Sequence, residues 1–249
     1  MEEQQYLAAL IELHSGLDRL GPGDDAFSRA IIQALPPLPA RPRIADIGCG
    51  TGAGALILAE TWPVTVQAVD FSRTFLDEML ERARRVGLGG SIEAIECDMA
   101  CLDWPPASLD LLWSEGAAYR LTMGGALRAW RPLLADGGIA VVSEMSYHAS
   151  PVPPAVEQFM RDVYPDINGE AANVELAIAS GFEVLDVRRV PAAAGGDNYY
   201  GALARRMDAL GEVDDEVMRA VIDDCRHEMD FFRLHCDHYG YTFFILRAV

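Results

Sequence analysis

Apolar positions along the chain follow two alternating periods, and the alternation predicts an architecture. Residues 3–17 carry a helical stripe that Gly21-Pro22-Gly23 breaks, and a second stripe over 25–35 ends at Pro36-Pro37-Leu38-Pro39. Apolar runs of strand length follow at 43–47, 64–69, 91–97, 109–114 and 139–146. Helical segments separate them, reaching Trp62, running from the N-cap Ser72 to Val86, and spanning 123–134. Strand and helix in alternation imply a parallel sheet covered on both faces and joined by right-handed crossovers. Beyond residue 150 the rhythm loosens. Helical patterns at 155–163 and 170–180 precede a sixth strand at 182–190, and a mostly helical stretch at 197–235 precedes a last strand at 241–246. The chain reads as a single domain over 1–249, with a helical cap at 1–40, a core at 41–150 and a helical insertion at 197–237.

Composition narrows the chemistry. The 20 basic residues are all arginine, set against 38 acidic ones, for a net charge of −18. Without lysine there is no Schiff-base catalysis, no Walker A loop and no kinase-type strand lysine. So acidic a chain repels phosphate backbones, which argues against a long nucleic-acid partner. No apolar run approaches the ~18 residues of a membrane span. The start, Met1-Glu2-Glu3-Gln4-Gln5, lacks the basic residues of a signal peptide. A cytoplasmic location is expected, with the five cysteines as free thiols.

Asp46-Ile47-Gly48-Cys49-Gly50-Thr51-Gly52 joins the first core strand to its helix. Glycines there permit a tight turn and close ligand approach, and the helix start offers unpaired N–H groups. The same residues satisfy a dinucleotide pattern, Gly48-x-Gly50-x-x-Ala53, so a nicotinamide-dependent oxidoreductase is an alternative. Asp70 ends the second strand, where a carboxylate can accept from a ribose diol. Asp98 and Met99 follow the third strand, and Asp98 is placed to accept from an adenine amine at the same sheet edge.

Taken with Asp110-Leu111-Leu112-Trp113-Ser114-Glu115 and Leu133-Leu134-Ala135-Asp136-Gly137-Gly138, these motifs resemble the class I S-adenosylmethionine-dependent methyltransferases over roughly 40–150. The resemblance implies an α/β, Rossmann-like sheet of seven strands in the order 3-2-1-4-5-7-6. Its last strand would be antiparallel, with helices on both faces and an N-terminal helical segment. It implies that Asp46 and the Gly48, Cys49, Gly50 and Gly52 loop hold the methionine part of S-adenosyl-L-methionine. Asp70 would bind the ribose, Phe71 would pack on the adenine, and Asp98 with Met99 would hold the adenine edge. Upstream, Arg19-Leu20-Gly21-Pro22-Gly23 resembles an Arg-x-Gly-Pro-Gly segment of a bacterial subgroup, whose N-terminus folds over the cofactor. Arg19 and Gly21 would then lie at the cofactor, with Arg19 pairing its carboxylate. The competing reading is a Gly-Pro turn with Arg19 exposed.

The activity implied is methyl transfer to a small-molecule acceptor, leaving S-adenosyl-L-homocysteine. Neither membrane nor long nucleic acid is expected as a partner, and a homodimer is open. A cofactor-binding protein without catalysis is a further alternative. Methyl transfer is an in-line displacement, so alignment supplies most of the catalysis. Glu115 could touch the cofactor amine or the acceptor, Tyr119 could orient the acceptor, and His148 has the pKa of a base. Tyr199 and Tyr200 either line an acceptor pocket or pack a helix start. Cys225, His227, His235, Cys236 and His238 match no standard zinc spacing, so no metal is expected.

Overall fold

The computed structural model describes residues 3–249, the side chain of Asp197 apart. Two helices open it, α1 (Glu3–His14) and α2 (Asp25–Gln33). The core alternates β1 (Ile44–Ile47), α3 (Ala53–Thr61), β2 (Val66–Asp70), α4 (Arg73–Arg85), β3 (Ile92–Glu96), β4 (Leu109–Ser114), α5 (Met123–Trp130) and β5 (Leu134–Tyr147). Then come α6 (Pro154–Val163), β6 (Asn168–Gly169), α7 (Glu170–Ala179) and β7 (Phe182–Arg189). After α8 (Ala192–Gly195) and a wide π-helical turn over Gly196–Tyr200, α9 (Gly201–Leu210) and α10 (Glu216–His235) lead to β8 (Tyr239–Ala248).

The sheet runs β3-β2-β1-β4-β5-β8-β7, with β8 antiparallel to both neighbours. This is the expected path with one correction. The strands number eight, because Asn168 and Gly169 pair in parallel with Ser146 and Tyr147. Two residues leave no periodicity to read, so β6 was invisible in the sequence. The pattern over 123–134 also divides differently. The helix stops at Trp130, Pro132 forces a short 3-10 turn, and β5 begins at Leu134. Gly211, at φ +65°, splits the last helical stretch into α9 and α10.

Local chemistry explains the boundaries. Asp24 caps α2 by accepting from the Phe27 N–H at 2.8 Å, and Asp215 caps α10 by accepting from the Met218 N–H at 2.8 Å. Ser72 caps α4, as its position suggested, accepting from the Phe75 N–H at 3.4 Å. Every residue of β1 is buried, as a parallel strand covered on both faces requires. One apolar layer packs α2, α3 and α4 against the sheet, and a second packs α5 and α7 against the other face. A third cluster sits over the carboxyl edge, built from α1, α6, α9, α10 and the tyrosines before α9.

Trp113 on β4 is fully buried, and its ring centroid lies 5.7 Å from that of Phe243 on β8. Truncating it empties a large site that rigid strands cannot refill. Trp113→Ala is expected to lower unfolding free energy by about 3–5 kcal/mol, read as a lower denaturant midpoint at unchanged slope.

Candidate functional site

The strand order reverses between β2-β1 and β4-β5, and the glycine loop sits at that reversal. Open α/β sheets bind ligands there, beyond the carboxyl ends of the strands. Gly48, Gly50 and Gly52 all take left-handed φ, at +74°, +53° and +87°. The space around them is as restrictive as the torsions. A Cβ on Gly48 would lie 2.2 Å from that of Ala117, and one on Gly50 would lie 2.7 Å from Leu20. The Gly48 and Cys49 N–H groups both donate to the Val69 carbonyl, which pins the loop to the end of β2. Cys49 is buried, and burial pushes its thiol pKa well up.

Asp70 joins this loop to the next. Its carboxylate accepts from the Gly50 N–H and the Ser72 N–H, each at 2.9 Å. Burial raises its pKa, against the lowering effect of those bonds. Beside it the Phe71 ring is 43% exposed, an open aromatic face on the loop edge. Asp98 is exposed and accepts from the Ala100 N–H at 2.9 Å. Met99 is buried, with its carbonyl held by the Trp130 indole N–H at 3.2 Å. Asp46 lies under the loop at 2% exposure, and its Oδ2 has no hydrogen-bond partner among the described residues. Its carboxyl is pushed well up by burial, with Glu115 adding to the effect.

The segment between α1 and α2 closes over the loop. Thr51 Oγ1 donates to the Leu17 carbonyl at 2.9 Å, and Arg82 donates to the Asp18 and Thr51 carbonyls at 2.8 and 2.6 Å. Arg19 is 8% exposed, not the solvent-facing side chain of a simple turn. It pairs with Glu115 and with Asp25, the latter at 2.7 Å. Gly21 is half-buried within this strap, and Gly23 lies against the Arg19–Glu115 pair. Arg19 and Glu115 therefore meet each other at the mouth of the loop.

The remaining candidates separate. His148 Nε2 lies 3.0 Å from Thr242 Oγ1, which donates to Glu170 Oε1 at 3.1 Å, and Glu170 pairs with Arg189. Burial lowers the His148 pKa, with Arg189 adding to the effect. Tyr119 follows β4 and is 42% exposed, yet crowding by protein is the largest effect on its hydroxyl. Tyr199 and Tyr200 are buried in the helical cluster over the carboxyl edge. The Tyr199 hydroxyl lies 2.9 Å from His14 Nε2, and the Tyr200 hydroxyl donates to Glu228 Oε1 at 2.7 Å.

Sequence reasoning missed Glu144, Tyr164, Glu228 and Tyr241. Glu144 lies on β5 at 2% exposure; its Oε1 accepts from the Met145 N–H at 2.8 Å, while Oε2 has no hydrogen-bond partner among the described residues. The Tyr164 hydroxyl adjoins the same carboxyl group. One signal was available: Glu144 is the single charge in the apolar run 139–146. Among the described residues, no group of three or more His, Cys, Asp or Glu is placed to hold a metal ion.

Comparison with known proteins agrees with this geometry. Residues 44–138 match the model of a methyltransferase domain family. Those residues are thus similar to a methyltransferase domain. The uncharacterized methyltransferase YodH of Bacillus subtilis is 32% identical over 144 residues, covering 57% of this chain and 59% of that protein. Phosphoethanolamine N-methyltransferase 1 of Arabidopsis thaliana is 27% identical over 192 residues, covering 76% of this chain and 36% of that protein. The chain thus spans between about a third and three-fifths of these relatives. A methyltransferase from Geobacter sulfurreducens, solved with S-adenosyl-L-homocysteine, superposes with a TM-score of 0.82 at 20% identity, covering 97% of this chain and 98% of that one. At that identity the likeness is one of fold.

Burial pushes the Glu144 carboxyl up to about 7 from an ordinary 4.5. A carboxyl raised by folding stabilises fully below its unfolded pKa and loses that contribution as pH rises through the folded value. Glu144→Gln removes the ionisation. The variant is expected to match the wild type near pH 4 and to exceed it by on the order of 3 kcal/mol at pH 8. Urea denaturation at both pH values checks this.

Proposed function

We propose that the chain transfers a methyl group from S-adenosyl-L-methionine to a small-molecule acceptor. The observation that carries the reading is the turn at the strand-order reversal, where three glycines in left-handed torsions join β1 to the start of α3. When bound, the cofactor supplies an electrophilic methyl group on a sulfonium centre. The residues present fit it. The left-handed turn at Gly48, Gly50 and Gly52 would present the N–H groups at the start of α3 to its amino-acid end, Asp46 Oδ2 lies without a hydrogen-bond partner beneath them, and Asp70 would meet the ribose. Phe71 offers its open face to the adenine, and Asp98 with Met99 borders the adenine edge. Arg19 and Glu115 supply one positive and one negative group for the carboxylate and the amine. The strap of residues 17–23 is tied to the glycine loop through Thr51 and Arg82 and would shield a bound donor from solvent.

Tyr119, exposed beyond the end of β4, is the aromatic side chain available to an acceptor. His148 is engaged with Thr242, so it is committed to that contact rather than to an acceptor.

Calorimetric titration tests the donor assignment. S-adenosyl-L-homocysteine is expected to bind saturably and NAD not to bind; saturable NAD binding alone overturns the reading. Phe71→Ala is expected to weaken S-adenosyl-L-homocysteine binding about 2- to 10-fold, in keeping with the worth of an aromatic stack. Because the ring is already open to solvent, its thermal midpoint should stay close to that of the wild type.

A further inference from the structure

A groove opens between the end of α2 and the last two strands of the sheet, and its volume is about 190 Å³. An apolar cavity of ~150 Å³ is enough to bind benzene, so a single ring or a short branched chain fits this one. Its apolar lining comes from both sides. Ile31 and Ile245 are buried, and Leu35 and Leu185 are half-buried beside them.

A β-bulge supplies the polar part. The register between β7 and β8 shifts between Val184 and Asp186, which makes Leu185 the extra residue. Before the shift Glu183 stands opposite Arg247; after it Asp186 stands opposite Ile245 and Arg188 opposite Phe243. Residues opposite one another share a sheet face, and the Phe243 ring lies 5.8 Å from that of Phe27 on α2. Strict alternation from Glu183 would have sent Asp186 and Arg188 to the other face. The bulge turns both toward α2, so the groove gains charges that an unbroken strand would have withheld.

Two cations, Arg188 and Arg247, line the groove against one anion, Asp186, in a chain whose net charge is −18. Arg188 Nε donates to Asp186 Oδ2 at 2.7 Å, and Arg247 Nη1 donates to Glu183 Oε2 at 2.9 Å. A guanidinium carries five N–H donors, so both keep donors for a ligand, and both side chains are partly exposed. An ammonium group would meet two guanidiniums here. An uncharged molecule would cover the apolar lining and leave those donors unused. A carboxylate on an apolar body uses both, through charge-assisted hydrogen bonds at one end and burial at the other.

We propose that this groove is a second ligand site, which takes a small monocarboxylate with an apolar body. The body lies on Ile31, Leu35, Leu185 and Ile245, and the carboxylate meets the guanidinium rim of Arg188 and Arg247. The site stands apart from the donor reading, since it lies on β8 and β7, beyond β5 from the strand-order reversal.

The test is calorimetric titration of the full chain at pH 7.5 with 3-phenylpropionate, 2-phenylethanol and 2-phenylethylamine, which differ in charge at one end. The carboxylate is expected to bind saturably and at least tenfold more tightly than the alcohol or the amine. Replacing both arginines, Arg188→Gln with Arg247→Gln, is expected to weaken carboxylate binding at least tenfold and to leave S-adenosyl-L-homocysteine affinity within about twofold. Ala34 lines the groove from the exposed end of α2, so Ala34→Phe fills it from outside the core and is expected to abolish carboxylate binding. That variant keeps the test decisive where the arginine variant fails to fold. Absence of saturable carboxylate binding, equal affinity for the alcohol, tighter binding of the amine, or carboxylate binding indifferent to the variants overturns the proposal. A dimer in sedimentation that Ala34→Phe dissociates, in a chain that binds no carboxylate, overturns it in favour of a second copy as the occupant. Carboxylate binding through the arginines in a chain that does not bind S-adenosyl-L-homocysteine supports the proposal and overturns the donor reading alone.

Discussion

Asp70 uses its two carboxylate oxygens to hold two loops at once, the glycine turn through Gly50 and the start of α4 through Ser72. Both bonds are charge-assisted, and both lie at the edge of a sheet whose central strands are covered on each face. The turn cannot relax elsewhere, because its glycines occupy torsions and spaces that side chains cannot share. Fixing the turn fixes the unpaired N–H groups at the start of α3, and with them the surface on which a ligand can lie. The strap over the turn follows from the same constraint. Leu20 reaches the space a Gly50 side chain would fill, and Thr51 holds the backbone of Leu17.

The chain distributes charge unevenly around that edge. Its cations near the site are paired with carboxylates, Arg19 with Glu115 and Asp25, and Arg189 with Glu170. The carboxyl groups deeper in the fold have no such partners. Asp46 and Glu144 each bury an oxygen without a hydrogen bond, and burial raises the pKa of both. A low-dielectric region holding unpaired negative groups is costly to the folded state and favourable to a cationic guest. A sulfonium donor is a guest of that kind.

Much of the fold was legible because a parallel sheet repeats one signal. Apolar runs of strand length alternated with helical stripes, and the cap Ser72 stood where a helix begins. The losses occurred where periodicity is too short or where backbone geometry overrides it. A two-residue strand carries no pattern, and Pro132 ended α5 inside a stretch whose apolar spacing continued. The site divided along the same line. Asp46, Asp70 and Asp98 lie in contiguous motifs and could be named in order. Glu144, Tyr164, Glu228 and Tyr241 come from four separate elements and share no motif.

By itself the sequence determined the parallel core, the glycine turn and the absence of any lysine chemistry, since each depends on neighbouring residues or on composition. It also placed Arg19 near the turn without revealing its company. Only the tertiary structure decided that Arg19 is buried against Glu115, that His148 is engaged with Thr242, and that Glu144 is buried beside Tyr164. The reason is distance along the chain. Arg19 and Glu115 are 96 residues apart, and His148 and Thr242 are 94 apart. Pairs so remote are set by strand order and packing, which leave no local trace for a single sequence to show.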